Sequence, residues 1–108
     1  MPYPEARVAG LAQGSFDPDK TYFGSKLITT GIAVNTAAKV RPSSWADLSK
    51  PEYKGQIAMP SPLYSGAAAI MLGTMTSRPD LGWSYFEKLK AADTVAVRGN
   101  GAVLTAVA

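Results

Sequence analysis

Apolar positions in the first third of the chain recur at every second residue. Ile28, Thr30, Ile32 and Val34 share one face at period two within residues 22–35, the pattern of a long strand with one face covered. Gly31 inside it suits a bulge or a close approach of another backbone. Residues 1–21 ahead of it are rich in Pro, Gly and Asp and end in the turn Asp17-Pro18-Asp19-Lys20, so they read as a surface or linker segment. After the strand, Ser43-Ser44-Trp45-Ala46-Asp47-Leu48 has the form of a short helix with a capping box. Ser44 stands at its start, Asp47 three residues on, and Pro51 ends it.

The period then changes along the rest of the chain. Residues 56–59 form a short apolar strand closed by Pro60, and residues 61–66 a loop into a helix at about 65–76. That helix has almost no polar face and is expected to be well buried. Ser77-Arg78-Pro79-Asp80 suits the start of the next helix, with Ser77 as cap and Pro79 in the first turn. Leu81, Tyr85 and Leu89 follow at four-residue spacing with Phe86 beside them, and Lys88 and Lys90 sit where the helix dipole favours positive charge. Residues 94–97 read as another strand, and Gly99-Asn100-Gly101 turns it into a last helix that runs to Ala108. Such alternation predicts an α/β fold, a mainly parallel sheet flanked by helices over residues 22–108.

Composition narrows the class. In 108 residues, 46% are hydrophobic and 18% charged, which is a globular balance for one domain at most. The net charge is +3, but Lys39, Arg41, Lys50 and Lys54 are interleaved with Asp47 and Glu52. A nucleic-acid binder gathers its positive charge on one face, so no nucleic-acid partner is expected. With no cysteine and no histidine, the chain has no disulfide, no Cys/His zinc site and no Ser-His-Asp or Cys-His catalysis. The start, Met1-Pro2-Tyr3-Pro4-Glu5, lacks the basic and apolar regions of a signal peptide. In the longest uncharged run, residues 56–77, Pro60 and Pro62 interrupt, and its apolar part falls short of the ~20 residues of a membrane span.

Two places can carry chemistry, and they share a design: a short apolar strand, a loop of small residues, then a helix start. One is Ser61-Pro62-Leu63-Tyr64-Ser65-Gly66, the other Arg98-Gly99-Asn100-Gly101. A helix start leaves backbone N–H groups unpaired and carries about half a positive charge. Small residues let an anion approach it, and Ser61, Ser65 and Asn100 can add hydrogen bonds. Ligands of open α/β sheets collect at the carboxyl ends of strands, where both loops fall. The plainer alternative is that Ser65 only caps a helix and that Gly99 and Gly101 only serve a turn. Tyr22 and Phe23 stand near the same end, placed either to stack on a solute or to pack in the core. Motifs of catalysis fail: Gly99 to Leu104 matches the dinucleotide fingerprint only at its first two glycines, Ser65 has no evident base, and no carboxylate pair is suitably spaced. A small anion bound at helix N-termini without catalysis is the first reading. A fragment of a dinucleotide- or phosphate-binding α/β enzyme is the alternative.

The run Ser44-Trp45-Ala46-Asp47-Leu48, then Pro51-Glu52-Tyr53-Lys54-Gly55-Gln56-Ile57-Ala58-Met59-Pro60, resembles a stretch of bacterial extracellular solute-binding proteins of ABC importers. It is closest to the branch of ferric-iron, phosphonate and sugar-phosphate binders. Ser65-Gly66, Gly82-Trp83, residues 99–103 and the upstream Tyr22-Phe23-Gly24 are similar too, so the resemblance covers about residues 17–108. It implies a type 2 periplasmic-binding-protein fold, in which two α/β lobes close on a solute and dock on a membrane permease outside the cytoplasm. The chain then resembles part of the second lobe, without a cofactor, with a site drawn from Ser61, Tyr64, Ser65, Gly66, Gly99, Asn100, Gly101 and Tyr22. Iron-binding members place adjacent tyrosines further along, and none of the five tyrosines here is adjacent to another. A partial lobe leaves an open sheet edge, so a homodimer by strand pairing or swapping is expected.

Overall fold

Gly55 sets the start of the sheet. In a computed structural model describing residues 1–108, its φ is +71°, a left-handed conformation that costs other residues about 1–2 kcal/mol. Its N–H donates to the Ala92 carbonyl at 2.9 Å, and beside it the Lys54 ammonium lies 3.7 Å from Asp93. The turns ahead of the two strands are thereby clasped. Strand β1 (Ala58–Pro60) then runs parallel to β2 (Val95–Val97), with Ala58 opposite Val95 and Pro60 opposite Val97.

A parallel pair needs a crossover, supplied here by helices α1 (Gly66–Thr76) and α2 (Gly82–Ala91). Helix α3 (Asn100–Val107) follows β2 and packs across both strands. Two single 3-10 turns, Ala46–Ser49 and Pro51–Tyr53, precede the sheet. The α/β architecture is as expected, on a sheet of two strands.

The core lies where α1 and α2 meet the first 3-10 turn. Leu81, Tyr85 and Leu89, the stripe read at four-residue spacing, are buried with Met75 of α1. Trp45, Leu48, Ile57, Met71 and Phe86 pack against them. The Tyr85 hydroxyl donates to the Trp45 carbonyl at 2.7 Å, which fixes the turn to the helix, and burial pushes the phenol up to about 12. The Ser44–Asp47 capping box forms around a 3-10 turn rather than an α-helix. Asp47 N–H donates to the Ser44 hydroxyl at 3.3 Å, and the Asp47 carboxylate accepts the Ser44 N–H at 3.1 Å.

Three expectations are corrected. Residues 22–35 form no strand: apart from an isolated antiparallel bridge between Phe16 and Phe23, the segment has no neighbour to pair with. None of the backbone–backbone hydrogen bonds involves residues 25–34, and Leu27 is 92% exposed. A period of two specifies a pleat, but a strand also needs a partner for its N–H and C=O groups. Helix α1 is not well buried. Only Ala68 and Met75 are enclosed, and Ile70 is 74% exposed, because α2 covers one side and nothing covers the other. Ser77 does not cap α2. Its hydroxyl bonds back to the Thr74 carbonyl at 2.9 Å at the end of α1, and Arg78 pairs with Asp80 at 2.7 Å. The chain turns at Leu81-Gly82, where Gly82 has φ +66°, and helix begins only there.

Two outcomes follow from these contacts. Gly55→Ala lowers stability by about 1–2 kcal/mol in urea unfolding, whereas Gly10→Ala, in open space, changes it little. The Lys50 ammonium at 2.7 Å, with the Ser43 hydroxyl and N–H, holds the Asp47 carboxyl well below the usual carboxylate range. A depressed folded-state value stabilises above the unfolded value of about 4, and that contribution is lost as pH falls further. Asp47→Asn is therefore destabilising near neutrality, and its gap from the native chain closes on acidification below about pH 4, followed by urea midpoints at several pH values.

Candidate functional site

The two loops singled out in the sequence meet at the carboxyl ends of β1 and β2. The Ser61 N–H donates to the Val97 carbonyl at 2.7 Å, which continues the parallel ladder one step beyond the strands and ties the loops at their roots. Ser61 then organises its own loop. Its carbonyl accepts the N–H groups of Tyr64 and Ser65 at 3.1 and 3.0 Å, and its hydroxyl accepts the Leu63 N–H at 3.3 Å. The loops meet again at their tips, where the Arg98 guanidinium lies over the Tyr64 ring, 4.7 Å from its centroid.

Each loop delivers a helix start. Ser65 caps α1, its hydroxyl accepting the Ala68 N–H at 3.3 Å. The N–H groups of Gly66 and Ala67 precede any intrahelical partner. At α3 the cap is Gly99, in extended backbone with no side-chain bond, and its carbonyl accepts the Val103 N–H at 3.1 Å. Asn100, Gly101 and Ala102 therefore keep free N–H groups as well. Neither helix has an acidic residue in its first turn, so no carboxylate neutralises the positive end of either dipole. Gly66, Gly99 and Gly101 have open space where a side chain would begin. Arg98 has no carboxylate within ion-pair distance, unlike Lys50, Lys54 and Arg78. The corner holds hydrogen-bond donors and positive charge, and no paired acid and base.

Ser61, Tyr64, Ser65, Gly66, Gly99, Asn100 and Gly101 thus belong to two loops fastened to each other. Tyr22 does not join them through any hydrogen bond or ring contact. It is 61% exposed on the N-terminal segment, where its carbonyl accepts the Asp17 N–H at 3.1 Å. Arg98 stacked on Tyr64 is the feature sequence reading missed, since 34 positions separate the two and no local pattern links them. No group of three His, Cys, Asp or Glu side chains assembles that could hold a metal ion.

The family model of bacterial extracellular solute-binding proteins matches residues 2–98. The chain belongs to that family. It is a family of solute binders, not of enzymes, whose members work outside the cytoplasm. No curated protein and no solved structure matches the chain. No helix of this solute-binding chain is long and apolar enough to cross a membrane.

The Ser65 cap can be tested alone. Ser65→Ala costs about 1 kcal/mol of stability, read as a lower unfolding midpoint, whereas Ser65→Asp retains the cap and the midpoint.

Proposed function

We propose that the chain serves the binding protein of a bacterial ABC importer and that the corner between α1 and α3 holds a small anionic solute. A phosphate ester, a phosphonate, a carboxylate or a ferric–anion complex has the required chemistry. The observation that carries this reading is the Ser61–Val97 bond, because it brings together two helix starts whose first N–H groups, Gly66 and Ala67 in one and Asn100 to Ala102 in the other, have no acidic residue beside them. An anion accepts such bonds and meets the positive ends of both dipoles. Arg98 supplies a full charge beside them and can form two parallel bonds to a phosphate or carboxylate. The lack of a general base near Ser65 favours capture and release over turnover. In a complete binding protein this corner would form one wall of the cleft, with the solute handed to a membrane permease.

Calorimetric titration with phosphate esters, phosphonates, carboxylates and ferric citrate tests the proposal. The expected result is saturable binding of at least one anion, no heat with a neutral sugar, and unchanged ligand after incubation. Ser65→Asp places a carboxylate where the anion would sit and reduces affinity at least about tenfold without lowering the unfolding midpoint. Saturable binding of a neutral solute with none of an anion, or chemical conversion of the ligand, overturns the reading.

A further inference from the structure

The chain exposes more surface than its mass accounts for. Its 11.3 kDa would expose about 5,700 Å² as a compact monomer, yet the accessible surface is 8057 Å². The radius of gyration is 17.8 Å, against about 13 Å for a compact chain of this length. Only six residues are buried.

Two features present the uncovered apolar surface, and they are complementary. The first is the strap of residues 28–34, outside any helix or strand and free of backbone hydrogen bonds, with Ile28 and Val34 exposed and Ile32 half-buried. The second is a hollow of about 600 Å³ bordered by β1, Met71 and Met75 of α1, Phe86 of α2 and Val103 of α3. Along one side of this hollow runs the free edge of β1. Ile57 and Ser61 turn their backbone groups to β2, so strand alternation leaves the Ala58 N–H and the Ala58 and Pro60 carbonyls facing away from it. The strap of the same chain borders the hollow but leaves it open and bonds to none of these groups.

We propose that a second copy of this chain fills the hollow. Two copies exchange straps, residues 28–34 of each lying in the hollow of the other beside the free edge of β1. The arrangement is two-fold symmetric, because each copy offers both a strap and a hollow. The surplus of about 2,300 Å² per copy exceeds the roughly 800 Å² per partner that a stable interface buries. Pro60 has no N–H and limits the edge to a few bonds, so burial of Ile28, Ile32 and Val34 carries most of the association. The pairing is independent of which solute the loops bind.

Sedimentation equilibrium over a concentration series reads the mass, and disulfide trapping reads the geometry. The chain has no cysteine, so Ile32→Cys and Ala58→Cys can be introduced on separate chains. The expected results are a dimer and, in an oxidised mixture of the two variants, a mixed disulfide between them. Thr30→Pro blocks strand pairing in the strap and weakens the dimer at least about tenfold, while helical circular dichroism is retained. A monomeric mass throughout overturns the proposal, as does a dimer that yields no mixed disulfide. It is equally overturned if the doubly substituted chain forms only an intrachain disulfide, which would mean the strap closes on its own β1.

Discussion

The parallel register between β1 and β2 is the constraint on which everything else hangs. It is held at both ends by backbone groups, the Gly55 N–H on the Ala92 carbonyl at one and the Ser61 N–H on the Val97 carbonyl at the other. A shift of this register would separate the loops that follow the strands and would move Arg98 off Tyr64. It would also misplace the 3-10 turns, which reach the helical core through the bond from Tyr85 to the Trp45 carbonyl. A sheet of two short strands has little side-chain burial to fix its alignment. The chain compensates with a glycine in left-handed backbone ahead of β1 and an ion pair from that turn to the turn ahead of β2.

This accounts for the segment that most resembles the solute-binding family. In Pro51-Glu52-Tyr53-Lys54-Gly55-Gln56-Ile57, Tyr53 is buried, Lys54 pairs with Asp93, Gly55 bonds Ala92, and the Ile57 carbonyl receives the Val95 N–H at 2.9 Å. Lys54, Gly55 and Ile57 serve the joint between the two strands, and none of the segment's hydrogen bonds or ion pairs reaches the corner where the loops meet. The segment marks the family through its architecture, and the proposed solute site lies in the loops beyond it.

Much of the fold was legible because its determinants are local. The cap at Ser65, the stripe of Leu81, Tyr85 and Leu89 and both strands follow from spacing within a few residues, and the strand boundaries fell within two positions. What failed depends on neighbours. The alternation of Ile28, Thr30, Ile32 and Val34 specifies which face would be apolar, yet says nothing about whether another strand lies alongside. The burial of α1 fails for the same reason, since apolar composition describes what a helix can cover and not what covers it. Ser77 had two competing uses, and the carbonyl behind it won over the N–H groups ahead. At the candidate site, the membership of the two loops was readable from strand–loop–helix order. The stacking of Arg98 on Tyr64 was not, because only the tertiary register brings them together.

The donors at the corner between α1 and α3 share one property. Backbone N–H groups do not ionise, an arginine keeps its charge at any pH a cell tolerates, and the chain contains no histidine. None of these backbone donors gains or loses a proton when the surroundings turn acidic or alkaline. Under the proposed function, an anion held there would meet the same backbone donors whatever the acidity, so the anion's own ionisation would be the first source of any pH sensitivity.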